Sequence, residues 1–165
     1  MPTTTLKPNI LGPKIPGVLA IGLLAAQFLI FGQGNQPDAA CTLKIDQVHI
    51  SKSVPIKNGL SSIKLNVTSS CNQPQKSTHL DVSILKIAGN QEIKVFTFKD
   101  QVRIATSGNQ NSVKFLDLFR QCTSNSTTMF SGEAKGEVTL KTGKTIPVSG
   151  KSDKFIALPC EIEAK

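Results

Sequence analysis

The chain has 165 residues with 19 basic and 11 acidic side chains, a net charge of +8, two histidines, eight phenylalanines and no tryptophan or tyrosine. That length fits a single domain behind a short leader. Because histidine is scarce, tyrosine is absent and the acidic residues are scattered singly, the sequence assembles neither a nucleophile with its base nor a paired carboxylate site, and we expect no enzyme.

An apolar run from Val18 to Phe31 follows a first stretch whose charged residues are Lys7 and Lys14. The run has 14 residues, whereas a membrane-spanning helix needs about 20. It predicts an N-terminal signal-peptide helix, cleaved after Gly34 or after Ala40, with an uncleaved membrane anchor as the alternative. The predicted regions are a signal peptide (1–34), a short linker (35–40) and a single disulfide-stapled domain (41–165).

Short runs in which apolar and polar residues alternate predict strands through most of the remaining chain. The apolar positions are Leu43, Ile45, Val48 and Ile50, then Ile63, Leu65 and Val67, then Leu80, Val82 and Ile84, then Ile93, Val95 and Phe98, then Val102 and Ile104, then Phe130, Val138 and Leu140, then Ile146 and Val148, and finally Phe155 to Ile162. Residues 113–120 fit a short helix as well as a strand. Seven to nine short strands predict an all-β fold, an antiparallel two-sheet sandwich that is immunoglobulin-like in outline.

Three small residues, Gly132, Ala134 and Gly136, share one face of the longest predicted strand. Glycine weakens a strand interior, so each position needs a reason. Close packing of a facing sheet or a large side chain explains them better than a ligand does, because sandwich cores pair small residues with large ones.

The four cysteines are Cys41, Cys71, Cys122 and Cys160. Cys41 opens the first strand and Cys71 closes the second, which places both at the same end of an antiparallel pair. The simplest of the three pairings therefore joins 41 with 71 and 122 with 160. An even number of cysteines behind a leader predicts a secreted or cell-envelope protein, and the absence of a CxxC sequence argues against zinc ligation.

A polar segment directly after Cys122 is the candidate partner-binding loop, because it lies beside a predicted disulfide. Its residues are Thr123, Ser124, Asn125, Ser126, Thr127 and Thr128. His49 and His79 alternate with apolar neighbours and therefore belong on an outer face. Asp81 shares the strand face of His79, but nothing nearby has the spacing of further ligands, so we expect no metal and no cofactor.

From residue 41 onward the chain has 17 basic and 10 acidic residues, a net charge of +7, and 15 of the basic residues are lysines spread along every strand. Arg103 and Arg120 are the arginines, and no aromatic residues are interleaved with a basic cluster, which excludes a typical nucleic-acid module. Lysines on outer faces discourage edge pairing. The expected partners are an unknown protein or an anionic envelope polymer, with membrane contact through the leader if it is uncleaved.

The residues that carry a family resemblance are Cys41, Cys71-Asn72-Gln73-Pro74, Cys122, Gly132-Glu133-Ala134-Lys135-Gly136-Glu137-Val138, Pro147-Val148-Ser149-Gly150 and Cys160. This series is similar to that of small secreted four-cysteine, immunoglobulin-like proteins of Gram-positive bacteria, which have no established function. The resemblance implies a secreted immunoglobulin-like sandwich in a bacterium, and it carries no functional residues over to this chain.

Together these observations predict an exported, non-enzymatic β-sandwich protein that acts as a binding module in the envelope or outside the cell. Binding is expected through loops or an exposed strand edge. Two alternatives stay open: a small secreted inhibitor or effector that acts on a foreign protein, and an envelope protein anchored by the uncleaved N-terminal helix.

Overall fold

The structure is a computed structural model that describes residues 38–164 of the chain. Within the described part of the chain, residues 39–164 form one compact unit. The predicted signal peptide (1–34) lies outside the described residues. Within residues 38–164 no helix has the length and apolar character that crossing a membrane requires.

Alternating apolar and polar residues give nine strands in the described part of the chain. The strands are β1 (Cys41–Ile45), β2 (His49–Ile50), β3 (Ser62–Cys71), β4 (Gln75–Ala88), β5 (Gln91–Ile104), β6 (Ser112–Gln121), β7 (Ser124–Leu140), β8 (Thr145–Lys151) and β9 (Ile156–Glu161). Strands β1 and β2 are short and pair with the same neighbouring strand, β3.

The strands form two antiparallel sheets, so the predicted all-β, two-sheet fold is confirmed. In the first sheet β3 lies in the middle, with β1 and β2 along one side and β6 along the other. In the second sheet the order is β5, β4 and β7, and both β8 and β9 pair with β7. Strands β6 and β5 are therefore edge strands, one in each sheet.

Aliphatic and phenylalanine side chains from both sheets form one buried core. Ile63 and Leu65 of β3, Leu80 and Ile84 of β4, and Phe130 of β7 all have 0% exposure. Each such side chain stabilises the fold by about 1.5–3 kcal/mol relative to an exposed position. The core therefore joins the two sheets through the inward residues that alternation predicted.

Close packing explains two of the small residues in β7. A Cβ atom on Gly132 would lie 2.6 Å from Cδ1 of Leu65 in the first sheet, so only glycine leaves room for that side chain. A Cβ atom on Gly136 would lie 2.0 Å from the carbonyl oxygen of His79, because the backbones of β7 and β4 approach closely there. Ala134, between them, is itself buried.

The segment of uncertain type, residues 113–120, is part of strand β6. Its inward residues are Val113, Phe115 and Leu118, and the step of three between the last two comes from a β-bulge. In that bulge two residues of β6 stand opposite Asn66 of β3. A bulge inserts one extra residue, which produces the helix-like spacing seen in the sequence.

The predicted short strand at Val102 and Ile104 was wrong in two respects. Both residues belong to the end of β5, and they face outward with 51% and 77% of their surface exposed. The register shifts beside them, where Lys99 and Asp100 both stand opposite Asp81 of β4. This extra residue reverses the inward and outward positions of the rest of the strand.

Two disulfides reinforce the sandwich, and they join the pairs that the sequence favoured. Cys41 and Cys71 are partners in register across β1 and β3, within the first sheet. Cys122 follows β6 of the first sheet and is bonded to Cys160 of β9 in the second sheet. The first bridge therefore closes one end of a sheet, whereas the second ties the two sheets together.

A buried glutamine, Gln75, organises the end of the sandwich near Cys71. Its side chain has 0% exposure, and its Oε1 atom accepts hydrogen bonds from the Ser69 and Thr78 hydroxyls at 3.1 and 2.7 Å. Its Nε2 atom donates to the Ser69 and Asn111 carbonyls at 3.3 and 2.8 Å. The backbone N–H of Gln75 donates to the Gln110 carbonyl at 2.7 Å. These bonds hold the loop before β6 against the start of β4.

Candidate functional site

The segment predicted as a partner-binding loop, Thr123 to Thr128, is mostly strand. Residues from Ser124 onward belong to β7 and pair with β9, with a register shift between Ser124 and Thr127. Pairing with β9 satisfies backbone groups that a free loop would leave to solvent, which corrects the expected conformation. Asn125 and its neighbours remain exposed, so the segment is accessible as a rigid edge and not as a loop.

A shallow groove of about 780 Å³ crosses the outward face of the second sheet. Its polar lining includes His79, Asp81, Asp100, Lys135 and Glu137. His79 Nε2 lies 3.3 Å from Asp100 Oδ1, and the backbone N–H of Asp100 donates to Asp81 Oδ1 at 3.0 Å. These contacts join His79, Asp81 and Asp100 to one another.

Among the described residues that line the groove, no hydroxyl group is hydrogen-bonded to a histidine. Ser149 supplies a hydroxyl to its lining, but among residues 38–164 no hydrogen bond joins Ser149 to His79. A nucleophile requires a base within hydrogen-bond reach. In the same part of the chain no three histidine, cysteine or acidic side chains are grouped so that they could hold a metal ion.

Exposed apolar residues and lysines lie together on the outward side of edge strand β6. Leu116 and Phe119 expose 49% and 46% of their surface. Phe119 stands opposite Lys64 of β3, and Lys114 stands opposite Thr68 on the same face. We call Lys64, Lys114, Leu116 and Phe119 the β6 face. It combines apolar surface with positive charge at one side of the sandwich.

The lysines of the β6 face differ from Lys94 and Lys151 of the second sheet. Neither Lys64 nor Lys114 is in an ion pair within residues 38–164. On the second sheet, by contrast, Lys94 lies 2.5 Å from a carboxylate oxygen of Glu133, and another lysine there, Lys151, is paired with a glutamate. Lys114 therefore presents charge that a partner can still neutralise, whereas Lys64 also interacts electrostatically with the Asp117 carboxylate of β6.

Both arginines link edge strands β5 and β6 beside this face. Arg103 donates to both carboxylate oxygens of Asp117 at 2.6 Å, and this hydrogen bonding lowers the pKa of Asp117. The Arg120 guanidinium carbon lies 4.4 Å from the centre of the Phe96 ring, a cation–π distance. These two contacts fix β6 relative to the second sheet, so the β6 face is a rigid surface.

Sequence reasoning did not identify the β6 face. Its apolar members lie in the segment that fitted a helix and a strand equally well, and without the bulge position their outward direction could not be assigned. The available signal was the number of apolar residues: Val113, Phe115, Leu116, Leu118 and Phe119 are too many for the inward side of one short strand.

Comparisons with known proteins do not identify a family. No protein-family model matches the chain, and no curated protein matches it. Among solved structures, the chain is similar to the solution structure of a candidate late embryogenesis abundant (LEA) protein, with 12% sequence identity, a TM-score of 0.42 and coverage of 86% of this chain and 84% of that chain. A similarity this weak carries no argument about function.

Proposed function

We propose that this protein is an exported, non-enzymatic binding module that recognises a partner protein through the β6 face. The observation that carries the proposal is the pairing of two exposed apolar side chains, Leu116 and Phe119, with two lysines that form no ion pair within residues 38–164. Apolar anchors bordered by charge are typical of protein interfaces. The complementary partner surface has an apolar pocket rimmed by carboxylates.

Two features support export and a fold of the immunoglobulin type. Disulfides persist in oxidising compartments, and both pairs of cysteines are joined in this protein. If β1 and β2 count as one interrupted strand, and β8 and β9 as another, the domain has seven strands. In chain order the first, second and fifth of these (β1/β2, β3 and β6) form one sheet, and the remaining four (β4, β5, β7 and β8/β9) form the second. In an immunoglobulin constant domain the fourth strand lies in the same sheet as the first, second and fifth strands, whereas here the fourth strand, β5, lies in the other sheet.

Site-specific photo-crosslinking in the native host tests the proposal. A photoreactive phenylalanine analogue at Leu116 is expected to capture one protein, and the same analogue at exposed Ser149 on the second sheet is expected to capture none. The captured protein is then purified, and its affinity for the unlabelled chain is measured. Phe119→Ser is expected to weaken binding about 30-fold, because a central aromatic contact contributes about 2 kcal/mol.

Met129→Ser is the matched control, since Met129 is also an apolar residue with 42% exposure but lies on β7. It is expected to change the affinity less than 3-fold, the range of peripheral contacts. Equal capture at positions 116 and 149, or equal effects of the Phe119 and Met129 substitutions, would contradict a specific role for the β6 face.

A second candidate function, inhibition of a foreign protein, rests on the exposed edge near Cys122. The N–H and the hydroxyl of Thr123 both donate to the Glu161 carbonyl, at 2.7 and 3.0 Å. Inhibitors benefit from such rigid segments, because less conformational entropy is lost on binding. Under this alternative, the photoreactive analogue placed at Asn125 captures a protein and the analogue at Leu116 captures none.

A further inference from the structure

Three lysines gather at the end of the sandwich that carries the Cys41–Cys71 disulfide. Lys76 directly follows Gln75 at the start of β4, and Lys141 and Lys144 stand at the two sides of the turn between β7 and β8. The backbone N–H of Lys141 donates to the Pro74 carbonyl at 2.9 Å. We call Lys76, Lys141 and Lys144 the lysine pole.

The lysine pole has few acidic neighbours. The segments that form this end, residues 72–80, 105–112 and 138–145, contain no aspartate or glutamate. The acidic residues closest to it in the sequence are Glu137, four residues before Lys141, and Asp81, five residues after Lys76, and Asp38 precedes β1 at the same end. All three lysines are exposed, and none of them is in an ion pair within the described range.

The opposite end of the sandwich is different in charge. Its exposed lysines, Lys52 and Lys57 in the connection between β2 and β3, are accompanied by Glu163, which follows β9. The balance of charge therefore differs between the two ends. An anion that approaches the protein is attracted more strongly to the lysine pole.

The backbone that carries the lysine pole is held in place. Residues on both sides of Lys76 pair with β7, with Gln75 opposite Leu140 and Ser77 opposite Thr139. The N–H of Leu140 also donates to the Lys144 carbonyl at 2.9 Å. Pre-ordered backbone lowers the entropy cost of binding, because the strand and turn positions that carry the three lysines are already fixed in the free protein.

We propose that the lysine pole binds the phosphate groups of a flexible polyanion, a phosphodiester polymer of the cell envelope. Lysine binds phosphate as a compact point charge and does not require the fixed planar geometry that arginine imposes. Exposed hydroxyls of Thr142 and Thr145 lie between and beside the lysines as further hydrogen-bond donors. This site is separate from the β6 face and does not depend on it.

Titration with inorganic polyphosphate tests the proposal on the full chain, kept in solution by a non-ionic detergent. Each lysine near an anionic array contributes a factor of about five in affinity at low salt. The variant Lys76→Gln, Lys141→Gln, Lys144→Gln is therefore expected to bind about 100-fold more weakly than the wild type. Its affinity should also depend less steeply on salt concentration, because fewer counterions are released.

The matched control is the variant Lys52→Gln, Lys57→Gln, Lys154→Gln, which has the same net charge and alters exposed lysines outside the lysine pole. It is expected to weaken binding less than 5-fold, through the general charge of the protein. Equal weakening by the two triple variants, or no binding by the wild type at low salt, overturns the proposal. Phe119→Ser should leave polyphosphate binding unchanged, which separates this site from the β6 face.

Circular dichroism and thermal unfolding verify that the variants fold. If the triple variant of the lysine pole unfolds, Lys144→Gln alone still decides the matter, with an expected loss of about fivefold. Its control is Lys57→Gln, an exposed lysine at the opposite end. Equal affinities for these two single variants contradict the proposal.

Discussion

Replacement of Gln75 by leucine is expected to destabilise the domain by about 4 kcal/mol. Leucine fills most of the same volume but removes every polar atom of the side chain. The Ser69 and Thr78 hydroxyls and the Asn111 carbonyl then lose a buried hydrogen bond. An unsatisfied buried group costs about 1–3 kcal/mol, and the added apolar burial offsets part of the total.

Equilibrium unfolding in urea, with the disulfides intact, measures this effect. With a slope of about 2 kcal/mol per molar urea, the midpoint should fall by about 2 M. Ser83→Ala is a control, because the buried Ser83 hydroxyl has one partner, the Thr97 hydroxyl at 3.0 Å. It should cost about 1 kcal/mol or less.

A double-mutant cycle with Thr78→Val tests whether the network acts as a unit. In the wild type this change removes a bond to Gln75 and should cost about 1–2 kcal/mol. In the Gln75→Leu background the Thr78 hydroxyl is already unpaired, so the same change should be neutral or stabilising. A cost of Gln75→Leu below about 1 kcal/mol, or additive effects within about 0.5 kcal/mol, would refute the reasoning.

Three further predictions concern the framework. Gly136→Ala should destabilise the domain by about 3 kcal/mol, because the added Cβ atom meets backbone, and Gly132→Ala by about 1–2 kcal/mol, because its Cβ atom meets the end of a movable side chain. Thermal unfolding that ranks the two variants in the opposite order contradicts this. Hydrogen bonding from a lysine lowers the pKa of Glu161 below its ordinary value of 4.5, so the stability lost in Glu161→Gln should be constant above about pH 5.5 and should diminish as the pH falls through the lowered pKa. A difference that grows below pH 4.5 contradicts that sign. Replacement of Cys122 and Cys160 by alanine removes their disulfide and opens a loop with a sequence separation of 38. The free energy of unfolding in urea should fall by about 4 kcal/mol. A decrease below about 1 kcal/mol contradicts the loop-closure account.

The pH dependence of Glu161 follows from its contacts. Lys86 donates to one carboxylate oxygen and Thr128 to the other, and Lys86 also donates to the Ile162 carbonyl at 3.0 Å. Because these bonds favour the charged carboxylate, the folded protein binds the proton less tightly than the unfolded chain does. Stability from this group is therefore present above pH 4.5 and is lost in acid.

Where apolar and polar residues of a strand alternate strictly, the sequence predicted which side chains face inward, whereas it did not where a bulge interrupts the alternation. Leu65 and Leu80 lie in runs with strict alternation, and their burial followed from the pattern. The pattern did not show that residues 113–120 form a strand, and it did not show that Val102 faces outward. In each of these strands a bulge shifts the alternation of inward and outward residues by one position. A bulge depends on the partner strand, which the local pattern does not contain.

The sequence by itself determined the strand-rich fold class, the aliphatic core and the favoured cysteine partners. These follow from alternation within single strands and from the positions of cysteines at strand ends, both of which are local properties. Only the tertiary structure decided that Lys76 lies at the same end as Lys141 and Lys144, and that Lys64 lies beside Phe119. Proximity between residues on different strands depends on strand order and register, which backbone hydrogen bonds and core packing set together.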